Sequence, residues 1–307
     1  MDTVPQHVLV VGGTRGIGGA LVEVLLGQGV RVTYVGRTPG LHPEHVLGTF
    51  VQSDLSTLRA CTELAARLEG LDFDSVVFCV GRLNLPQVER NTEGVELDLA
   101  VSYMSRFILL KHFGTHHASL FPKLKLALVF GSPGSNNFVD NVNDLNFEDR
   151  AYQQVAAHTN TVVLNEALVY EAARRFPQLE VYGMNPGYLA TGIRDAVHGG
   201  DGNWFGWAME TAIRAFNPSP KEYVTRTVVP LLLKPQSSPP FVPVSLSQSG
   251  EELGCMGWAA SEANRLRAWE ASEELLQRVQ LIDTPPRQVA PLPPVEGPPS
   301  PTDERQE

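Results

Sequence analysis

Short runs of consecutive apolar residues, rich in valine, alternate along the chain with longer stretches whose apolar positions recur every three to four residues. The runs at 7–11, 75–80 and 125–130 are apolar after their first residue, as expected of strands buried on both sides; 30–35 and 180–184 also read as buried strands, and 49–52 as a shorter one. A last strand is expected at 241–244, where Pro243 lacks an amide hydrogen and would confine it to a sheet edge. The stretches 16–26, 58–68, 94–113, 161–175, 221–233 and 261–281 have helical spacing. Strands and helices therefore alternate, and a parallel strand pair needs a crossover helix. The order predicts an α/β fold, a doubly wound parallel sheet (Rossmann fold) with helices on both faces.

Two segments break the alternation. Residues 194–218 place Trp204, Phe205, Trp207 and Met209 outside any regular spacing, so a short lid-like insertion is expected over the carboxyl ends of the strands; local core packing is the other reading. From residue 284 the chain becomes Pro-rich and holds too little apolar surface to offset the entropy of ordering. A disordered tail is expected over 284–307, either inert or a proline-motif ligand for a partner domain. Residues 6–283 read as a single domain, and a chain of 307 residues that is 43% hydrophobic can fill one large core.

Charge and cysteine usage narrow the function. A formal net charge of −10 with no basic stripe speaks against nucleic acid as a partner. No run of about 18 apolar residues exists, and the first five residues lack the basic and apolar regions of a signal peptide. No membrane association and a cytoplasmic location are therefore expected. Cys61, Cys79 and Cys255 are far apart and have no histidine cluster near them, which predicts buried thiols rather than disulfides or a metal site.

The densest chemical signal is Val11-Gly12-Gly13-Thr14-Arg15-Gly16-Ile17-Gly18, directly after the first strand and opening the first helix. Gly12 permits a tight turn, Gly16 lets backbone approach a pyrophosphate, and Gly18 allows the helix to pack closely on the strand. The helix start adds N–H groups and a positive dipole end. A glycine-rich turn without a ligand is the competing reading.

With Val11 in place of the threonine that opens its T-G-x-x-x-G-x-G motif, this segment resembles the short-chain dehydrogenase/reductase family. The resemblance continues at Asp54-Leu55, where the family sets an aspartate against adenine, and at Val80-Gly81, the end of its N-A-G motif. Asn185-Pro186-Gly187 with Thr191 is similar to its P-G-x-x-x-T segment. Asp144-Leu145-Asn146-Phe147-Glu148 and Leu266-Arg267-Ala268-Trp269-Glu270-Ala271-Ser272-Glu273-Glu274 resemble the retinol-dehydrogenase-like branch. The likeness runs from about residue 8 to about residue 281 and implies a nicotinamide dinucleotide, oxidoreductase chemistry, and a homodimer paired through the helices at 94–113 and 161–175.

Charge indicates which dinucleotide. The second strand ends Val35-Gly36-Arg37-Thr38, with no carboxylate for a ribose diol. Arg37 and Arg15 could clamp a 2′-phosphate and Thr38 could add a hydrogen bond, which favours NADP(H); two solvated arginines are the alternative.

The family reduces carbonyls with a tyrosine as proton donor, a lysine four residues on, a serine and a relay asparagine. Ser132 takes the serine's place, with Ser135 as a second hydroxyl nearby. A register fixed by Asn165 and Pro186-Gly187 puts His158 at the tyrosine position and Val162 at the lysine position. Ser102 falls at the relay asparagine, Cys79 at the asparagine of N-A-G, and Tyr152 is an upstream tyrosine with Ala156 four residues on. Loss of the lysine removes a cofactor contact and the charge that makes a phenol acidic, so ordinary alcohol oxidation should be impaired. His158 reads either as a replacement acid or as a histidine bonded to backbone on a structural helix.

The expected function is NADPH-dependent reduction of an apolar small molecule with an activated acceptor (iminium, enone or ketone), in secondary-metabolite biosynthesis by analogy. Ser135, Tyr188, Trp204 and Trp207 would hold the substrate against Ser132 and His158. A redox-neutral cyclase or isomerase and a non-catalytic NADP(H)-binding protein are the alternatives.

Overall fold

In the computed structural model, residues 7–40, 44–83, 86–131, 137–187, 189, 217–234 and 241–282 are described. The apolar runs form β1 (His7–Val11), β2 (Arg31–Gly36), β3 (Gly48–Gln52), β4 (Ser75–Phe78), β5 (Leu126–Phe130) and β6 (Glu180–Met184), followed by β7 (Val244–Leu246) and β8 (Glu252–Leu253). They make one sheet in the order β3-β2-β1-β4-β5-β6-β7-β8. All neighbours are parallel except β7 and β8. The chain order reverses between β1 and β4, and ligands of such sheets bind at the carboxyl ends around that switch point.

Because successive strand residues face opposite sides, β1 feeds two cores at once. Val8 and Val10 join Leu21 and Leu25 of α1 (Gly16–Gly27), whereas Leu9 and Val11 join Leu58, Cys61 and Leu64 of α2 (Leu58–Arg67). The second core also takes in α3, a π-helical turn Leu99–Met104 that continues as the α-helix Ser105–Thr115. After the short α4 (His117–Leu120), α5 (Gln154–Arg175) packs on the same face. On the α1 face lies α6, built from Pro220–Tyr223, a π-helical turn Val224–Val228 and Val229–Leu233. The last helix, α7 (Glu262–Ile282), lies against α3 and α5. Its Trp269 ring sits 4.9 Å from Phe107, the Arg175 guanidinium stacks on that ring at 4.4 Å, and Ser272 Oγ meets Tyr103 Oη at 2.7 Å. Much of the α3 and α5 surface expected to pair two copies is thus covered by the chain's own α7.

Three expected elements are displaced. The strand expected at 241–244 begins after Pro243 and spans Val244–Leu246. It is not an edge strand, because β8, two residues long and unforeseen, pairs along its outer side. The helix expected from 94 starts at Leu99, because Gly94 has φ +77° and closes a turn in which Asn91 Oδ1 accepts from the amides of Glu93 and Val95. That turn delivers the Glu93 carboxylate to the start of α2, where it accepts from the amides of Leu58 and Arg59 at 2.6 and 2.9 Å. The helix expected from 161 begins at Gln154, two turns earlier. The segments 194–218 and 284–307 lie outside the described residues apart from the last two positions of the first, and among the described helices none is long and apolar enough to cross a membrane.

Gly114 sets the distance between α3 and the end of α5, because a Cβ added there would lie 2.3 Å from Phe176 Cγ. Gly114→Ala should cost about 1–3 kcal/mol by overpacking. In urea unfolding this lowers the midpoint at an unchanged slope, and an unshifted midpoint would show that the contact yields freely.

Candidate functional site

At the switch point the backbone segments approach as closely as glycine permits. Gly12 has φ +87°, and a Cβ on it would stand 2.5 Å from the Val80 nitrogen; one on Gly18 would stand 2.1 Å from the Gly12 oxygen. The amides of Gly12 and Gly13 both donate to Val35 O at 3.0 Å, and those of Cys79 and Val80 donate to Val11 O at 2.8 and 2.9 Å. The glycine loop is thereby tied to the ends of β2 and β4. The first turn of α1 contains no acidic residue and receives no side-chain cap, which leaves its amides directed at the crevice. This backbone cradle, with open amides at a helix start, fits a pyrophosphate.

Thr14 packs on Gly36, where a Cβ would lie 2.4 Å from Thr14 Cγ2, so Arg15 and Arg37 flank one contact. Both arginines and Thr38 are exposed, and neither arginine pairs with an acidic group among the described residues. Ile17 is half-buried against the α1-side core. Beyond β3, Asp54 is exposed and caps the Ser56 amide at 3.1 Å, whereas Leu55 is buried. These residues follow the carboxyl ends of β1, β2 and β3.

On the other side, at the ends of β4, β5 and β6, a polar cluster lies between α3 and α5. His158 Nδ1 is 2.9 Å from Asp98 Oδ2; the Asp98 carboxyl is fully buried and the imidazole is 37% exposed. A carboxylate can only accept here, so Nδ1 carries the hydrogen and Nε2 is the atom open to proton exchange. The partner of His158 is therefore an acid rather than a backbone carbonyl. Val162, at the lysine position, is half-buried one turn further along α5.

Ser102 lies in the π-helical turn, a distortion that recurs at functional sites. Its Oγ accepts from the Arg82 amide at 3.0 Å, and its carbonyl accepts from Asn165 Nδ2 at 2.9 Å and from Arg106 Nη1. Arg106 is 4% exposed, and its Nη2 donates to Val80 O. Burial lowers Arg106 to about 10, with the Asp98 carboxylate pulling the other way, which leaves it cationic at neutral pH. Cys79 is an inert thiol, pushed up to about 12 by burial, with Arg106 pulling the other way. At the far wall Gly187 has φ +62° and donates to Asn185 Oδ1 at 3.1 Å, while Gln248 Nε2 holds Pro186 O at 2.7 Å.

The stretch 144–148 is a strut for this cluster. Asp144 caps the amide of Glu148 and accepts from Arg150 Nε, and Arg150 lies 3.8 Å over the Phe147 ring. Asn146 Oδ1 accepts from the Glu96 amide at 2.8 Å, two residues before Asp98. Tyr152 packs on Phe147 and makes a long 3.4 Å bond to Glu96, a buried carboxyl that desolvation raises above its usual range. That tyrosine belongs to the strut.

Ser132, Ser135, Tyr188, Thr191, Trp204 and Trp207 lie outside the described residues. Sequence reasoning missed Asp98 and Arg106, although Arg106 is the one charged residue in the otherwise apolar or hydroxylic stretch 99–110. Among the described residues no group of three His, Cys, Asp or Glu side chains could hold a metal ion.

No protein-family model matches the chain. An uncharacterized oxidoreductase of Saccharomyces cerevisiae is 34% identical over 203 residues, a match covering 64% of this chain and 64% of that protein, less than two thirds of its length. A Streptomyces protein carrying the name daunorubicin C-13 ketoreductase is 27% identical over 204 residues, covering 61% of this chain and 67% of that one. Among solved structures, a Mycobacterium paratuberculosis protein superposes with a TM-score of 0.61 at 17% identity, over 89% of this chain and 93% of that chain. A short-chain dehydrogenase/reductase from Burkholderia multivorans with bound NADP gives 0.54 at 20% identity, over 81% and 99%. A yeast short-chain dehydrogenase/reductase gives 0.58 at 16%, over 79% and 96%. These solved structures show that the chain shares the short-chain dehydrogenase/reductase fold, and the two curated relatives to which it is similar carry oxidoreductase and ketoreductase names.

Proposed function

We propose that the chain is an NADPH-dependent reductase of an apolar small molecule with a ketone, enone or iminium acceptor, and that His158 replaces the family's tyrosine as proton donor. The observation that carries this reading is the His158–Asp98 contact at 2.9 Å, at the end of the sheet where the dinucleotide's second half belongs. A side chain whose Nδ1 is held by a buried acid is oriented like the histidine of a catalytic triad. Proton donation then needs neither a phenol nor the lysine that would acidify it.

When bound, NADPH supplies the hydride. The glycine loop and the α1 amides take its pyrophosphate, and Arg15, Arg37 and Thr38 take the 2′-phosphate. Asp54 and Leu55 line the adenine end, and Val80, Gly81, Pro186, Gly187 and Thr191 the nicotinamide end, as the family resemblance implies. His158 Nε2–H delivers its proton to the acceptor oxygen, or to the carbon of an enone, and Ser132 polarises the acceptor. Ser135, Tyr188, Trp204 and Trp207 supply substrate contacts. The solved relative with bound NADP supports the choice of dinucleotide, and the Streptomyces relative's name supports a ketone. A role in secondary-metabolite biosynthesis and a cytoplasmic location are parts of the same proposal.

The direct test follows NADPH absorbance with a panel of iminium, enone and ketone substrates. Consumption matched by reduced product is expected; product without consumption would point to a redox-neutral cyclase or isomerase. Arg37→Ala should weaken NADPH roughly ten-fold or more and NADH little, read by calorimetry. Equal weakening of the two would remove Arg37 from the phosphate site. His158→Ala should lower kcat about a hundred-fold or more, and Asp98→Asn roughly ten-fold or more at similar KM. An unchanged kcat in His158→Ala excludes it as the acid.

A further inference from the structure

Arg106 is a buried cation that no carboxylate touches among the described residues, with Asp98 acting on it only at longer range. Its guanidinium donates only to the main-chain carbonyls of Ser102 and Val80, and its Nε has no hydrogen-bond partner. Among the described residues no carboxylate lies within ion-pair distance of it. The acid on its own helix, Asp98, commits Oδ2 to His158. The groups facing Arg106 from the neighbouring elements carry no net negative charge: the Cys79 thiol beyond β4 stays protonated, and Asn165 on α5 is an amide. A charge held this way is costly unless something else uses it.

Its position indicates the use. A Cβ added to Gly131, after β5, would lie 3.6 Å from Arg106 Nη1, and one added to Gly81, after β4, would lie 3.7 Å from Nη2. The guanidinium therefore sits under two glycines at the carboxyl ends of the two strands next to the switch point, on the half of the sheet that holds the second mononucleotide of a dinucleotide. At these two positions no side chain stands between that charge and the carboxyl ends of β4 and β5.

We propose that Arg106 makes the site selective for the reduced form of its cofactor. The inference rests on the reading that the crevice binds NADP(H). An oxidised nicotinamide ring is a cation and a reduced one is neutral, so a fixed positive charge beneath the ring raises the free energy of the oxidised complex alone. The reduced cofactor loads and the oxidised one is expelled. The same charge opposes the oxidised ring as it forms, so the step it favours is cofactor exchange after turnover rather than the hydride step itself. In this chain the positive charge comes from α3, while the family's lysine position on α5 holds Val162.

The test is calorimetric binding of NADPH and NADP⁺ to the full chain and to Arg106→Met, Arg106→Lys and Asp98→Asn. The wild type is expected to prefer NADPH by roughly ten-fold. Arg106→Met brings the two affinities close together, Arg106→Lys keeps most of the preference, and Asp98→Asn, which removes the opposing charge at nearly constant volume, widens it. A structural role for Arg106 would weaken both forms by one factor and leave their ratio intact, and that result overturns the inference, as does an Asp98→Asn variant whose ratio narrows or stays put. A wild type that binds neither form overturns the proposed function along with it, whereas binding at a ratio insensitive to Arg106 overturns the inference alone.

Discussion

A fully buried carboxylate facing a half-exposed imidazole is the contact around which this protein's crevice is arranged. Asp98 cannot be hydrated, and its Oδ1 has no hydrogen-bond partner, so its position has to be fixed by everything around it. The turn at 91–95 fixes the entry to α3, the 144–148 strut holds Glu96 two residues upstream, and α7 braces α3 through Tyr103 and Phe107. On the facing helix, the early start of α5 at Gln154 is what carries His158 to Asp98.

Residue 80 joins the two halves of the site. Its amide donates to Val11 O and lies where a Cβ on Gly12 would collide, and its carbonyl accepts from Arg106. One peptide strip thus connects the glycine loop, the end of β4 and the buried cation, so the spacing between the phosphate end and the reacting end of the crevice is set by backbone rather than by adjustable side chains.

The strands were legible because β1, β4 and β5 are nearly uninterrupted apolar runs, and the crossover order follows from their alternation with helices. The glycine loop was legible because steric need leaves no substitute for glycine at Gly12 and Gly18. What stayed hidden depends on partners distant in sequence. Asp98 sits 60 residues from His158, and in Glu96-Leu97-Asp98 it reads as one more surface charge. The polar stretch His158-Thr159-Asn160 masked the first two turns of α5, and the apolar run from Phe241 to Val244 set the expected last strand three residues too early while β8 was too short to register. The stretch at 144–148, quoted for its family likeness, is a strut, which sequence alone could not separate from a site.

The claim that His158 faces the crevice as an acid oriented by Asp98 can be observed without any substrate. In a histidine ¹⁵N NMR titration the account predicts that neutral His158 keeps its hydrogen on Nδ1, and that Asp98→Asn abolishes this preference. A neutral His158 protonated on Nε2, in a wild type that is otherwise folded, would contradict the account.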